Sequence, residues 1–182
     1  MTTHNKYPIQ QGQLDNFCGI YSLVNAFVYL YDKRLKRRPL KMTLISAFTE
    51  NWPLEELIRH GMDDVQMDHV IDRVVMRGYY QANFPVSVAK PFVGRKKLVS
   101  LRVLREMEQF LASQTMMGTR LILIGTIDHW SLIKRMDATY VYFFDSAGFQ
   151  RAFRRSFSLR EGATRYLLIP SCIYFLTRME EI

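Results

Sequence analysis

Four consecutive apolar residues, Leu121-Ile122-Leu123-Ile124, set the first condition on the fold. A strand made of such a run leaves no side for solvent and is typical of one buried on both faces. Two further strand-like stretches follow, His129–Lys134 and Thr139–Asp145, with Arg135-Met136-Asp137-Ala138 as the turn between them. Arg165–Ile169 and Cys172–Thr177 read as one or two closing strands. Upstream the period is helical. Helices are expected over Phe17–Tyr31, Thr43–Glu50, Leu54–His60, Val65–Arg77 and Leu101–Ser113. Val65, His69 or Val70, Val74 and Val75 are expected to face inward on the fourth, and Leu101, Leu104, Met107, Phe110 and Leu111 on the fifth. Tyr79–Gly94, with Pro85 and Pro91, reads as extended or loop structure. Helices first and an antiparallel sheet second is an α+β arrangement. No repeat and no Pro/Gly/Ser-rich linker divides residues 1–182, so a single domain is expected.

The first helix carries a cysteine in its opening turn: Gln13-Leu14-Asp15-Asn16-Phe17-Cys18-Gly19-Ile20. Asp15 or Asn16 suits the N-cap, where a side-chain oxygen accepts an unpaired backbone N–H. A thiol there lies at the positive end of the helix dipole, which favours thiolate. The thiolate is the nucleophile in cysteine-dependent acyl transfer. The plainer role for a lone cysteine is that of a small buried hydrophobe, so the remaining parts of a site decide the matter.

The predicted hairpin supplies them. With its turn centred on Asp137, paired residues have numbers summing to 274, which sets His129 opposite Asp145. Opposed side chains share a face about 4.5–5.5 Å apart at Cβ, so the carboxylate can orient the imidazole and stabilise its charged form. A one-residue slip would put the two on opposite faces. The Cys18 backbone N–H at the helix start and the Gln13 amide five residues upstream are candidate oxyanion donors. Cys18, His129 and Asp145 thus have the residue types of a nucleophile, a base and an orienting acid.

In chain order, Gln13-x4-Cys18-Gly19, His129-Trp130 and Asp145-Ser146 resemble the papain-like cysteine peptidase superfamily. The spacing is similar to that of Josephin-type deubiquitinases. Around Cys-Gly and the His…Asp pair it is also similar to bacteriocin-processing double-glycine peptidases and related bacterial toxin domains. In many superfamily members the glutamine stands six before the cysteine, where this chain has Gly12; Gln11 is the other candidate. The resemblance rests on residues 13–26 and 126–148, and 32–118 match no family pattern. It implies a papain-like fold, attack by Cys18 on a carbonyl, proton transfer through His129, orientation by Asp145, and an oxyanion hole of Gln13 and the Cys18 N–H. It further implies cleft support from Trp130, covering the His129–Asp145 pair, and from Gly19. It implies no cofactor, and a protein or peptide as substrate. An effector toxin restrained by a dedicated inhibitor protein is the biological expectation. The same triad also serves glutamine deamidases, amidases and acyltransferases, and a papain-like fold can act as a catalytically silent binding module.

Composition narrows the rest. Two cysteines, Cys18 and Cys172, make no disulfide framework, and Cys172 sits in an apolar strand-like segment that reads as core. The histidines His4, His60, His69 and His129 lack metal-ligand spacing, so no metal site is expected. No apolar run approaches a membrane span, and residues 1–12 show no secretory signal, which points to a cytoplasmic chain or one delivered into a target cell. The net charge of +8 gathers at Lys33–Arg38, Arg95-Lys96-Lys97 and Arg151 with Arg154-Arg155. Such clusters suit nucleic acid or an acidic surface, but charge alone does not favour nucleic acid over a solvated surface.

Overall fold

The computed structural model describes residues 6–12, 16–31, 35–113 and 118–179. Its helices are α1 (Cys18–Tyr31), α2 (Arg37–Thr49), α3 (Leu54–His60), α4 (Asp64–Val70, continued by a π-turn over Ile71–Val75), α5 (Gly78–Asn83) and α6 (Ser100–Ala112). Its strands are β1 (Val86–Ala89), β2 (Arg120–Gly125), β3 (Trp130–Met136), β4 (Tyr140–Phe143), β5 (Arg151–Phe153), β6 (Phe157–Ser158), β7 (Tyr166–Leu167) and β8 (Ile173–Arg178). Six strands form one sheet in the order β1-β8-β2-β3-β4-β5, with every neighbouring pair antiparallel. The short β6 and β7 pair in parallel beside it. This is an α+β fold in which helices precede a mostly antiparallel sheet.

β2 lies at the sheet's centre and is sealed on both sides. Leu121 and Leu123 point into a core shared with α1, α2 and α4, while Ile122 and Ile124 point into a second core under α6. All four are at most 1% exposed. The helices therefore cover two faces, with α6 alone on the second.

Several elements depart from the sequence expectation, each for a local reason. α2 starts six residues early, at Arg37, and holds Pro39 in its first turn. Proline is accepted there because the N–H it lacks has no intrahelical partner. On α4 Val65 is 64% exposed, and Gln66 takes the inward place. Gln66 closes a capping box with Asp63, and its amide reaches Glu56 Oε1 at 2.7 Å, so the buried polar group is satisfied. On α6 Leu101 is exposed and Val103 is buried in its stead. Residues 79–83, expected as loop, form α5, and β1 beyond them pairs with β8 at the sheet's edge. β5 was not anticipated, and the closing segment yields short β7 and full-length β8. Cys172 is buried beside Gly125, as expected of a core residue. No helix among the described residues is long and apolar enough to cross a membrane.

Candidate active site

α1 delivers Cys18 to its place through polar side chains buried within an apolar helix. One turn after Cys18, Ser22 Oγ donates to the Trp130 carbonyl at 2.9 Å, so the helix is fastened to the start of β3. Asn25, fully buried, holds the backbone of Ile9 from both sides, accepting from its N–H at 2.7 Å and donating to its carbonyl at 3.0 Å. This ties residues 6–12 along the helix as a strap. Gly19 allows the first turn to pack closely: a Cβ there would lie 3.1 Å from Met67 Cε and 3.2 Å from Met62 Sδ.

His129 stands just before β3. Its carbonyl accepts from the Thr126 N–H at 2.9 Å, extending the β2–β3 ladder, so only Ile127 and Asp128 make the loop. Asp145 follows β4. The register linking them differs from the predicted one. Asp137 is not the centre of the turn; its carboxylate accepts from the N–H groups of Thr139 at 2.9 Å and Tyr140 at 2.7 Å, which moves the turn toward β4. Next to the turn the pairs are Met136↔Val141 and Arg135↔Tyr142; a bulge then intervenes, and Ile133 pairs with Phe143. The Leu132 carbonyl accepts from Phe144 in the same register. Continued, this sets Asp145 across from Ser131 and diagonal to His129. Diagonal neighbours on one face remain within reach of long side chains.

The contact is made. His129 Nε2 and Asp145 Oδ2 are 2.7 Å apart, and Ser131 Oγ donates to the same oxygen at 2.6 Å. Asp145 Oδ1 accepts from the N–H groups of Ala147 at 2.8 Å and Phe149 at 3.1 Å. With four donors, this carboxylate is 2% exposed and yet satisfied. Burial would raise its pKa, but the bonds from His129 and Ser131, the His129 charge and the Phe149 N–H hold it below the usual carboxylate value. Behind it the strap closes in: the Gln11 N–H donates to the Ser146 carbonyl at 3.0 Å, and Ser146 Oγ donates to Gln11 Oε1 at 3.1 Å.

Cys18 is the other partner of His129. Burial pulls the imidazole pKa down, but hydrogen bonds to Asp145 and to Cys18, with the charges of both, lift it from 6.5 to about 9. Since Nε2 meets Asp145, Nδ1 is the ring atom left for the sulfur. Cys18 and His129 line a cleft of about 340 Å³, walled by Asn16 and Arg59–Met62 on one side and Thr126–Trp130 on the other. Asn16 donates to the Ile58 and Arg59 carbonyls at 2.9 and 2.8 Å, tying the start of α1 to the end of α3. The two cleft walls are joined by Trp130, whose indole N–H donates to the Met62 carbonyl at 2.7 Å. Its ring packs over Gly125 and toward Tyr174, on the face of β3 opposite Ser131 and Asp145. Trp130 thus braces the cleft rather than roofing the His129–Asp145 pair.

Gln13 lies outside the described residues, as does Asp15. Gln11 uses its side-chain oxygen on Ser146. The Cys18 N–H, at the first position of α1, has no acceptor within the helix. Among the described residues, no group of three or more His, Cys, Asp or Glu side chains could hold a metal ion. Three residues of the site were not singled out from sequence. Ser131 could have been, standing two past His129 on the same strand face. Ser22 and Asn25 could have been, as polar residues on the inward side of an apolar helix. No family model, curated protein or solved structure matches the chain.

Proposed function

We propose that the chain is a cysteine peptidase of papain-like type, with Cys18 as nucleophile, His129 as general base and acid, and Asp145 as the carboxylate that orients and charges the imidazole. The observation that carries this reading is His129 held between Asp145 at 2.7 Å and Cys18 at the mouth of an open cleft. A histidine with a purely structural task has no need of a thiol on one side, a buried carboxylate on the other and solvent access between.

The reaction runs in two halves. The Cys18 thiol gives its proton to His129, and the sulfur attacks the substrate carbonyl carbon. The C–S bond forms as the carbonyl electron pair moves to oxygen, where the Cys18 N–H donates to it. The resemblance adds the Gln13 amide as second donor. As the C–N bond breaks, the leaving amine takes the proton from His129. Water, deprotonated by His129, then attacks the thioester; the carboxylic acid leaves and Cys18 recovers its proton. Asp145 stays ionised throughout and supports the imidazolium of each half. The substrate is a protein or peptide, and an effector that is held in check by an inhibitor protein is the biological setting in keeping with the resemblance.

Two measurements test this. Alkylation by iodoacetamide at pH 6, followed by intact mass, is expected to modify Cys18 faster than a free model thiol and faster than Cys172, and to slow in His129→Ala. Equal rates for Cys18 and the model thiol sink the reading. New protein N-termini in cells expressing wild type but not Cys18→Ala identify peptide-bond cleavage. Conversion of glutamine to glutamate without new N-termini would assign the triad to deamidation instead.

A further inference from the structure

On the far side of the molecule's edge hairpin, the outer face of β4 and β5 carries a column of alternating arginines and rings. Val141 and Ala152 pair with each other and face the core, so their neighbours Tyr140, Tyr142, Arg151 and Phe153 face outward. Tyr140 and Phe153, directly paired, stack with centroids 4.9 Å apart and planes inclined by 28°. The Arg151 guanidinium lies 4.6 Å over the Tyr140 ring, and that of Arg155 lies 4.9 Å over Phe153. Tyr142, 6.0 Å from Tyr140, carries Arg135 at 3.7 Å from its centroid. Beside the column runs a groove of about 250 Å³, bordered across from it by Arg165 over Tyr166.

Charge on an edge strand guards against unwanted strand pairing, but that task asks only for charge. Here each guanidinium lies over a ring in cation–π contact. Its position is therefore set before any ligand arrives, and its N–H edge stays available for a forked bond to an oxyanion. Among the described residues, Arg135 alone of these arginines has a carboxylate within 4 Å, with Asp137 Oδ2 at 3.6 Å. Arg154, from the same basic cluster in the sequence, is excluded by its pairing with Glu108 at 2.5 Å.

We propose that this face binds single-stranded nucleic acid, with phosphates on Arg135, Arg151 and Arg155 and bases stacking against the exposed guanidinium and ring planes beside the groove. Aromatic and arginine planes interleaved along a basic surface match the alternation of base and phosphate in an unpaired strand. A duplex hides its base faces and offers phosphates alone; an acidic peptide offers charge without planes to stack. The inference stands apart from the proposed peptidase, because the column shares no residue with the Cys18–His129 cleft.

The experiment is fluorescence anisotropy with a labelled oligothymidine, using the full chain as Cys18→Ala, across a salt series. Binding is expected to weaken with salt at a log–log slope of about −2, the single-strand value for three phosphates. The exposed triple variant Arg135→Gln/Arg151→Gln/Arg155→Gln is expected to weaken binding by about 10-fold or more and to flatten the slope, with an unchanged circular dichroism spectrum. Tyr142→Leu, which keeps all charges, is expected to weaken it by several-fold. Undiminished binding by the triple variant overturns the proposal. So does equal or tighter binding of polyglutamate, which would give the face to an acidic protein partner, and so does preference for the matching duplex.

Discussion

Replacing Asp145 with asparagine removes a charge while leaving a side chain of the same shape against His129, and so isolates what the carboxylate does. In the wild type the imidazole pKa rises from 6.5 to about 9, against burial and through Asp145 and Cys18. At about 1.36 kcal/mol per pKa unit, the protonated ring is favoured by on the order of 3 kcal/mol. The His129 side chain is 29% exposed and the Asp145 side chain fully shielded, so solvent screening takes only a part of this. In Asp145→Asn burial, already the largest single influence, is opposed by Cys18 alone, and His129 is expected to titrate well below the wild-type value of about 9. Imidazole proton and carbon shifts followed by NMR across pH 5–10 read this directly and require no substrate. The same change appears in stability. A raised folded pKa contributes stability that is complete below the unfolded value of about 6.5 and is lost as pH rises through about 9. Wild type is therefore expected to lose on the order of 3 kcal/mol of unfolding free energy across that window in urea titrations, and the variant to lose much less. Asp145 itself acts in the opposite sense: its pKa is lowered, so its contribution is present above the ordinary carboxylate value and is lost as pH falls through the folded value. A wild-type His129 titrating near 6.5, or a variant His129 still titrating near 9, would refute the reasoning.

Three further outcomes follow from the geometry. Asn25→Ala leaves the N–H and carbonyl of Ile9 without their buried partner, which is expected to cost about 1–3 kcal/mol and to open the strap, read as new protease cleavage before residue 16 under native conditions. Gly125→Ala forces a methyl to within 2.8 Å of the Trp130 ring and 3.0 Å of Cys172 Cβ, neither of which can yield easily. Overpacking of this kind costs about 1–3 kcal/mol and is expected to lower Tm by several degrees in calorimetry. Deleting Lys134, the residue passed over between Ile133 and Arg135, should preserve both flanking pairs and leave His129 titrating near 9, whereas a mid-strand deletion elsewhere in β3 should abolish that.

Much of the fold could be read in advance because its strongest signals are local. The Leu121–Ile124 run, closed by Gly125, forms the expected strand with apolar cover on both faces, and α3 is bounded by Pro53 before it and by Gly61, at φ 75°, after it. Where the reading failed, two rules competed for one residue. Pro39 both breaks a helix interior and suits a first turn, and only packing of the residues around it decides which applies. Val65 matched the apolar period, but the capping box of Asp63 and Gln66 fixed where α4 begins and thereby turned Gln66 inward. Asn25 stands out as a polar residue on the inward side of α1, but its partner does not, because a single buried amide answers to a backbone 16 residues away.

The His129–Asp145 contact shows how a sequence argument can reach the correct pair through an incorrect register. A sum of 274 requires a turn centred on Asp137; the Asp137 carboxylate caps the turn instead, and pairing beside it sums to 277. That sum is odd. Continued without interruption, it would set Asp145 across from Leu132 and on the face opposite His129. The bulge at Lys134 reduces the sum to 276, and an even sum returns the carboxylate to the face of Ser131 and His129. Parity, and not the particular partner, is what the site requires, since Asp145 reaches His129 along the diagonal while Ser131 holds it from directly across. A bulge that re-aims a side chain beside a reactive group is a recurring use of that feature. Here it absorbs the one extra residue, Lys134, that would otherwise put Asp145 and His129 on opposite faces. The burial pattern carries its trace: Ile133 and Met136, three apart on one strand, face the same core, which an unbroken alternation of two forbids.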